Sequence, residues 1–173
     1  MRPKLLLLAI CLFIIAVLAC GGGSGSGSGT KVVTIKGSDT MVILGQRWAE
    51  TYMTEHPDAR IQVTGGGSGT GIAALINGGT DICAASRPMT DKEKAQVRAR
   101  HGKDVKEIPV ALDGVTIYVN LASRVQSLSQ AQLKGIYTGR ITNWRDVGGN
   151  DQRIVAYSRE NNSGTYLFFK EHV

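Results

Sequence analysis

Apolar positions along the chain fall in short blocks whose period switches between two and about three and a half. Val32-Val33-Thr34-Ile35 is a β-type run that closes at Gly37. Met41, Leu44, Trp48 and Tyr52 then recur at spacings of three and four, which predicts a helix stopping near Pro57. Ile61-Gln62-Val63-Thr64 reads as a second strand, followed by a glycine cluster and an apolar helix over Ile72 to Ile76. A third strand is predicted over Asp81 to Ala85. Thr90-Asp91-Lys92-Glu93 is a capping box that opens a polar, exposed helix to about Arg100. Val105 to Leu112 and Val115 to Val119 read as two more strands around Asp113-Gly114, which is either a hairpin turn or a crossing into a second lobe. Ser129-Gln130-Ala131-Gln132 is another capping box, leading a helix that ends between Gly135 and Gly139. Ile154 to Tyr157 reads as a strand, and Ser163-Gly164-Thr165 opens a last helix. Strands alternating with helices predict an α/β fold with mostly parallel sheets.

Residues 1–19 stand apart from this pattern. Arg2 and Lys4 precede an unbroken apolar run from Leu5 to Ala19, shorter than the roughly 20 residues a spanning helix needs. A charged start before an apolar stretch of this size reads as a secretory signal peptide. Cys20 follows directly, in the context Val17-Leu18-Ala19-Cys20, and this resembles a bacterial lipobox whose cysteine is acylated, palmitate being a typical chain. Leu18 is bulkier than the residue usual there. Residues 20–30 then read as the lipidated cysteine and a flexible Gly/Ser tether. The expected location is outside the cytoplasm, lipid-anchored to the cell membrane and facing the periplasm or exterior. Cys11 leaves with the leader, so Cys83 has no disulfide partner in the mature chain and reads as a small buried hydrophobe.

The formal charge of +6 falls to roughly +4 once Arg2 and Lys4 are removed, a mild bias toward anionic partners. Nucleic acid is not expected as a partner, because the basic residues are scattered and aromatics are few. His56, His101 and His172 are isolated, without metal-ligand spacing, so no metal and no cofactor are expected. Nothing pairs a nucleophile with a base, and the glycine cluster lacks the Gly-Lys-Ser/Thr ending of a P-loop, so enzymatic activity is not expected.

Three predicted strands run into small hydroxyl residues or glycines that open a helix: Gly37-Ser38-Asp39-Thr40, Gly65 to Gly71, and Asn162-Ser163-Gly164-Thr165. The first N–H groups of a helix lack intrahelical partners and carry the positive end of the helix dipole. Glycine lets backbone approach an anion, and Ser or Thr adds a hydroxyl donor. Each segment alone is a common capping pattern. Together they form a candidate oxyanion site, to which Arg159 would add one full charge in a geometry suited to phosphate.

The segments Ile35 to Met41, Gly67 to Gly71, Asp81 to Pro88, Leu133 to Gly139 with Ile141 to Trp144, and Ser158-Arg159 through Thr165 resemble the phosphate ABC-transporter substrate-binding proteins, the PstS family. The resemblance runs from about Val32 to Val173 in the family's order. It implies a two-lobed periplasmic-binding-protein fold, with a first lobe over 31–113 and an incomplete second lobe over 114–173. It implies capture of inorganic phosphate and its delivery to ABC permease subunits for import. By motif position the phosphate ligands would be Thr40, the Met41 backbone N–H, Ser68, Ser86, Arg87, Arg159, Ser163, Gly164 and Thr165. Ser86 and Arg87 stand where many members carry an aspartate and a small residue. Asp39 is therefore the candidate acceptor for the phosphate proton, which would set phosphate apart from sulfate. Because family members are longer, the chain is expected to be C-terminally truncated and to fold poorly or bind weakly alone. A phosphate-sensing domain, or a site for sulfate or tungstate, are the alternatives left open.

Overall fold

The computed structural model describes residues 31–173; the expected signal peptide, the expected acylation site Cys20 and the expected Gly/Ser tether lie outside the described residues. Strand β1 (Val32–Gly37) is central among them, with β2 (Arg60–Thr64) on one side and β3 (Ile82–Ala84) on the other, all parallel. The register pairs Val33 with Ile61 and Ile35 with both Val63 and Ile82. Helix α1 (Asp39–Glu55) joins β1 to β2, and α2 (Ser68–Asn77) joins β2 to β3. A 2-1-3 strand order puts the reversal of winding between β1 and β3, and open α/β sheets bind ligands outside the carboxyl ends of their strands at that point.

The core sits between α2 and the next helix, α3 (Asp91–His101). Ile72, at 1% exposure, packs with Met89 and Val97, and Leu75, Ile76, Cys83 and Val105 surround them. Burial lifts the Cys83 thiol to about 11, so it is protonated and inert at neutral pH. The Thr90 capping box forms as the sequence predicts: Thr90 Oγ1 accepts from the Glu93 N–H, and Glu93 Oε2 accepts from the Thr90 N–H. His101 lies 2.9 Å from the Ile76 carbonyl at the C-terminus of α2.

Farther along, α4 (Gln130–Tyr137) starts on the Ser129 capping box, and α5 (Gly164–His172) starts at Ser163. Tyr137 and Phe169 meet edge to face with centroids 4.7 Å apart, tying α4 to α5. A 3-10 helix over Trp144–Val147, capped by Asn143, has no signal in the apolar periodicity.

Two expectations need correction. Residues 105–112 and 115–119 are not strands, and no hairpin forms at Asp113-Gly114. Leu112 and Tyr118 are fully or almost fully exposed, and the stretch has no ladder partner among the described residues. The β-prone composition is there, but a strand exists only where a neighbour completes its hydrogen bonds. Residues 154–157 likewise form no strand; one antiparallel bridge, Asn143 to Arg153, is what pairs nearby.

Candidate oxyanion-binding site

The carboxyl ends of the three strands feed the site directly. After β1, the Ser38 N–H donates to the Ala84 carbonyl at 2.8 Å, which draws the start of α1 against the end of β3. After β2, the chain turns through Gly66 and Gly67, whose φ angles of 113° and 87° suit glycine and not other residues. Asp39 secures that turn by accepting from the Gly66 N–H at 2.8 Å. After β3, the Ser86 N–H donates to Ser68 Oγ at 3.1 Å, and the two serine hydroxyls are 3.1 Å apart.

The third hydroxyl segment comes from far along the chain and packs onto the first two. Thr165 Oγ1, in the first turn of α5, lies 3.5 Å from Thr40 Oγ1 in the first turn of α1. Gly164 presses against the Ser68 and Ser86 hydroxyls so closely that a Cβ there would overlap Ser86 Oγ and come within 2.7 Å of Ser68 Oγ. Asn162 holds the arrangement from outside. Its Nδ2 donates to the Gly66 carbonyl at 2.8 Å and to Thr70 Oγ1 at 3.2 Å, and its own carbonyl accepts from the Gly69 N–H at 2.9 Å.

Thr40, Ser68, Ser86, Gly164 and Thr165 are thus brought together at the N-termini of α1, α2 and α5. Thr40, Met41, Ser86, Arg87 and Thr165 border a cleft of about 1500 Å³, whereas Ser68 and Ser163 are buried beneath it. Ser163 Oγ caps α5, accepting from the Tyr166 N–H at 3.4 Å. The Met41 N–H already reaches the Ser38 carbonyl at 3.1 Å.

The two arginines are differently placed. Arg87 is 13% exposed and spends both terminal nitrogens on Glu93, at 3.0 and 2.8 Å, with a further bond to the Pro88 carbonyl. That pairing holds the Glu93 carboxyl down at about 2 and raises the Arg87 guanidinium further. Arg159 is 45% exposed, with Nε 3.5 Å from Glu160 Oε2, an ion pair weak enough in water to be exchanged for a better partner. The local roles of Asn162 and Asp39 are not announced by their sequence neighbourhood. The partners of Asn162 lie more than 90 residues away and that of Asp39 lies 27 away, so no local pattern signals either contact. Chemically the ensemble is a set of neutral donors with positive helix ends, suited to holding an anion and lacking an activated nucleophile.

A family profile described as "PBP superfamily domain" matches residues 24–173. The phosphate-binding protein PstS of Staphylococcus haemolyticus is 39% identical over 141 residues, covering 80% of this chain and 44% of that protein. Among solved structures, one from Clostridium perfringens, described as a putative phosphate ABC-transporter substrate-binding protein with bound phosphate, superposes with TM-score 0.72 at 37% identity, covering 82% of this chain and 55% of the other. An ABC-type phosphate transport receptor from Vibrio cholerae gives TM-score 0.64 at 38% identity, over 80% of this chain and 54% of the other. The chain therefore spans about half the length of the proteins it matches. These relatives are described as phosphate-binding or phosphate-transport proteins. A parallel α/β sheet wound 2-1-3, hydroxyl-bearing helix ends gathered at its switch point, and a profile match over most of the sequence lead to one assignment: the chain belongs to the PBP superfamily, the periplasmic-binding-protein-like domains.

Proposed function

We propose that this chain binds inorganic phosphate at the meeting point of the α1, α2 and α5 N-termini and serves a phosphate ABC importer by delivering the ion to its permease. The observation that carries the reading is the approach of the Thr40 and Thr165 hydroxyls to 3.5 Å across 125 residues of sequence, directly beside the Ser68–Ser86 hydroxyl pair. Neutral donors at helix ends stabilise an oxyanion without the desolvation cost of burying several full charges. The ligand set is Thr40, Ser68, Ser86, Ser163, Gly164 and Thr165, with the Met41 N–H shared between the ion and the Ser38 carbonyl. Arg159 moves from its exposed pair with Glu160 to supply a bidentate contact, and Arg87, neutralised by Glu93, braces the loop that presents Ser86. The relatives that bind or transport phosphate support the choice of ion.

In the same reading, residues 31–113 and 114–173 contribute to two lobes that close on the ion, with Asp113-Gly114 near the hinge. Export through the leader and acylation of Cys20 tether the protein beside its permease, since each buried methylene adds about 0.8 kcal/mol of membrane affinity. Calorimetric titration with phosphate, arsenate and sulfate tests the binding step. Phosphate and arsenate should saturate one site competitively. Heat from sulfate alone, or from none of the three, would refute the reading.

A further inference from the structure

The sequence motifs explain why Ser163, Gly164 and Thr165 are placed at a helix start, but not what fixes that start against the rest of the site. Asn162 stands immediately before the cap of α5 and reaches the glycine turn before α2, 92 to 96 residues away. Three hydrogen bonds join the two: Nδ2 to the Gly66 carbonyl at 2.8 Å, Nδ2 to Thr70 Oγ1 at 3.2 Å, and the Gly69 N–H to the Asn162 carbonyl at 2.9 Å. Both hydrogens of the carboxamide are used, and both acceptors lie on the segment that carries Ser68. The glycine turn is shaped for this contact. A Cβ at Gly67 would come within 2.9 Å of Asn162 Cγ, and one at Gly69 within 3.3 Å of its carbonyl oxygen. Gly66 in turn is held from the opposite side by Asp39. Asp39, the glycine turn and Asn162 thus form one continuous connection from the start of α1 to the start of α5.

We infer that Asn162 is a positioning residue for the oxyanion site, a latch that docks the α5 start onto the glycine turn and keeps the hydroxyls of Ser68 and Thr165 and the tight Gly164 backbone aimed at one point. This rests on the proposed phosphate function. Asn162 need not touch the ion. Its bonds join segments remote in sequence, so they must break if the α5 start moves away to release a ligand. The latch therefore sets how long a bound ion stays and has little influence on how fast it arrives.

The test is stopped-flow phosphate binding to the full chain, wild type against Asn162→Ala and Asn162→Asp, with amide hydrogen exchange at Gly69 measured on the same proteins. Loss of two side-chain hydrogen bonds should raise the dissociation rate on the order of tenfold in N162A, with the association rate within roughly twofold of wild type. N162D should dissociate faster still, because it keeps the size but replaces the donor with a charge facing the Gly66 carbonyl. Gly69 exchange should accelerate in both. Unchanged dissociation in folded variants, or a loss confined to the melting temperature, would overturn the latch. If the wild type binds no phosphate, the functional reading fails separately, and Gly69 exchange decides the latch: acceleration in N162A upholds it and no change rejects it.

Discussion

Gly164 shows how tightly single atoms are constrained at this site. Its Cα faces the Ser68 and Ser86 hydroxyls with no room for a methyl group, so Gly164→Ala must push α5 away or break the serine pair. We expect phosphate affinity to fall about 100-fold, roughly 3 kcal/mol, with a smaller loss of thermal stability, measurable by calorimetry beside a melting curve. Asp39 is a second case. One oxygen of its carboxylate is occupied by the Gly66 N–H, which leaves the other as the candidate partner for the proton of phosphate. Asp39→Asn keeps an acceptor for Gly66 and removes the charge. If Asp39 has that role, the phosphate-over-sulfate ratio in competition titrations should drop about tenfold, the equivalent of one charge-assisted hydrogen bond. An unchanged ratio would reject the role. The hydroxyl residues are legible in the sequence because helix-opening Ser, Thr and Gly have a known physical use. Asn162 is not, because its partners lie more than 90 residues away and nothing local marks an asparagine as a bridge.

Helix α3 shows what an element contributes beyond its own stability. Its first turn carries Glu93, which closes the capping box on Thr90 and also holds Arg87 on the loop that presents Ser86. Arg87 is left with a buried Nε that has no partner among the described residues, so its remaining bonds matter more. The Glu93 carboxyl is held at about 2 in the folded protein against an ordinary 4.5. A carboxyl depressed on folding contributes stability that is fully present above the unfolded value and is lost as pH falls from about 4.5 toward 2. Glu93→Gln preserves the capping acceptor and removes the ion pair. It should cost about 1–2 kcal/mol at neutral pH, after allowance for the partly exposed carboxylate, and should flatten the acid limb of a melting-temperature profile. A parallel acid limb in the variant would show that the pair contributes nothing. Both capping boxes are legible from sequence because each signal is complete within four consecutive residues. The 3-10 helix at Trp144–Val147 is too short for periodicity to register.

At the scale of the whole molecule, the parallel sheet is legible because each βαβ unit is a local alternation of periods, whereas the 2-1-3 order depends on which edge of β1 each crossover reaches and is not written in that alternation. The segment from 105 to 119 reads as strands yet forms none, because pairing is not a property of one segment. Its apolar residues are suited to a sheet, but Leu112 and Tyr118 face solvent and no ladder forms with any described residue. Without ladder bonds its amides should exchange orders of magnitude faster than those of central β1, a contrast that hydrogen exchange with mass detection reads directly. Phosphate binding at this site requires one tetrahedral ion to meet the starts of α1, α2 and α5 together. The most direct measurement is a crystal structure of the chain grown with arsenate, with the arsenic located by its anomalous scattering. A single strong site is expected, its oxygens about 2.6–3.2 Å from the Thr40, Ser68 and Thr165 hydroxyls. Arsenic found elsewhere on the surface, or at no site at all under saturating arsenate, would contradict it.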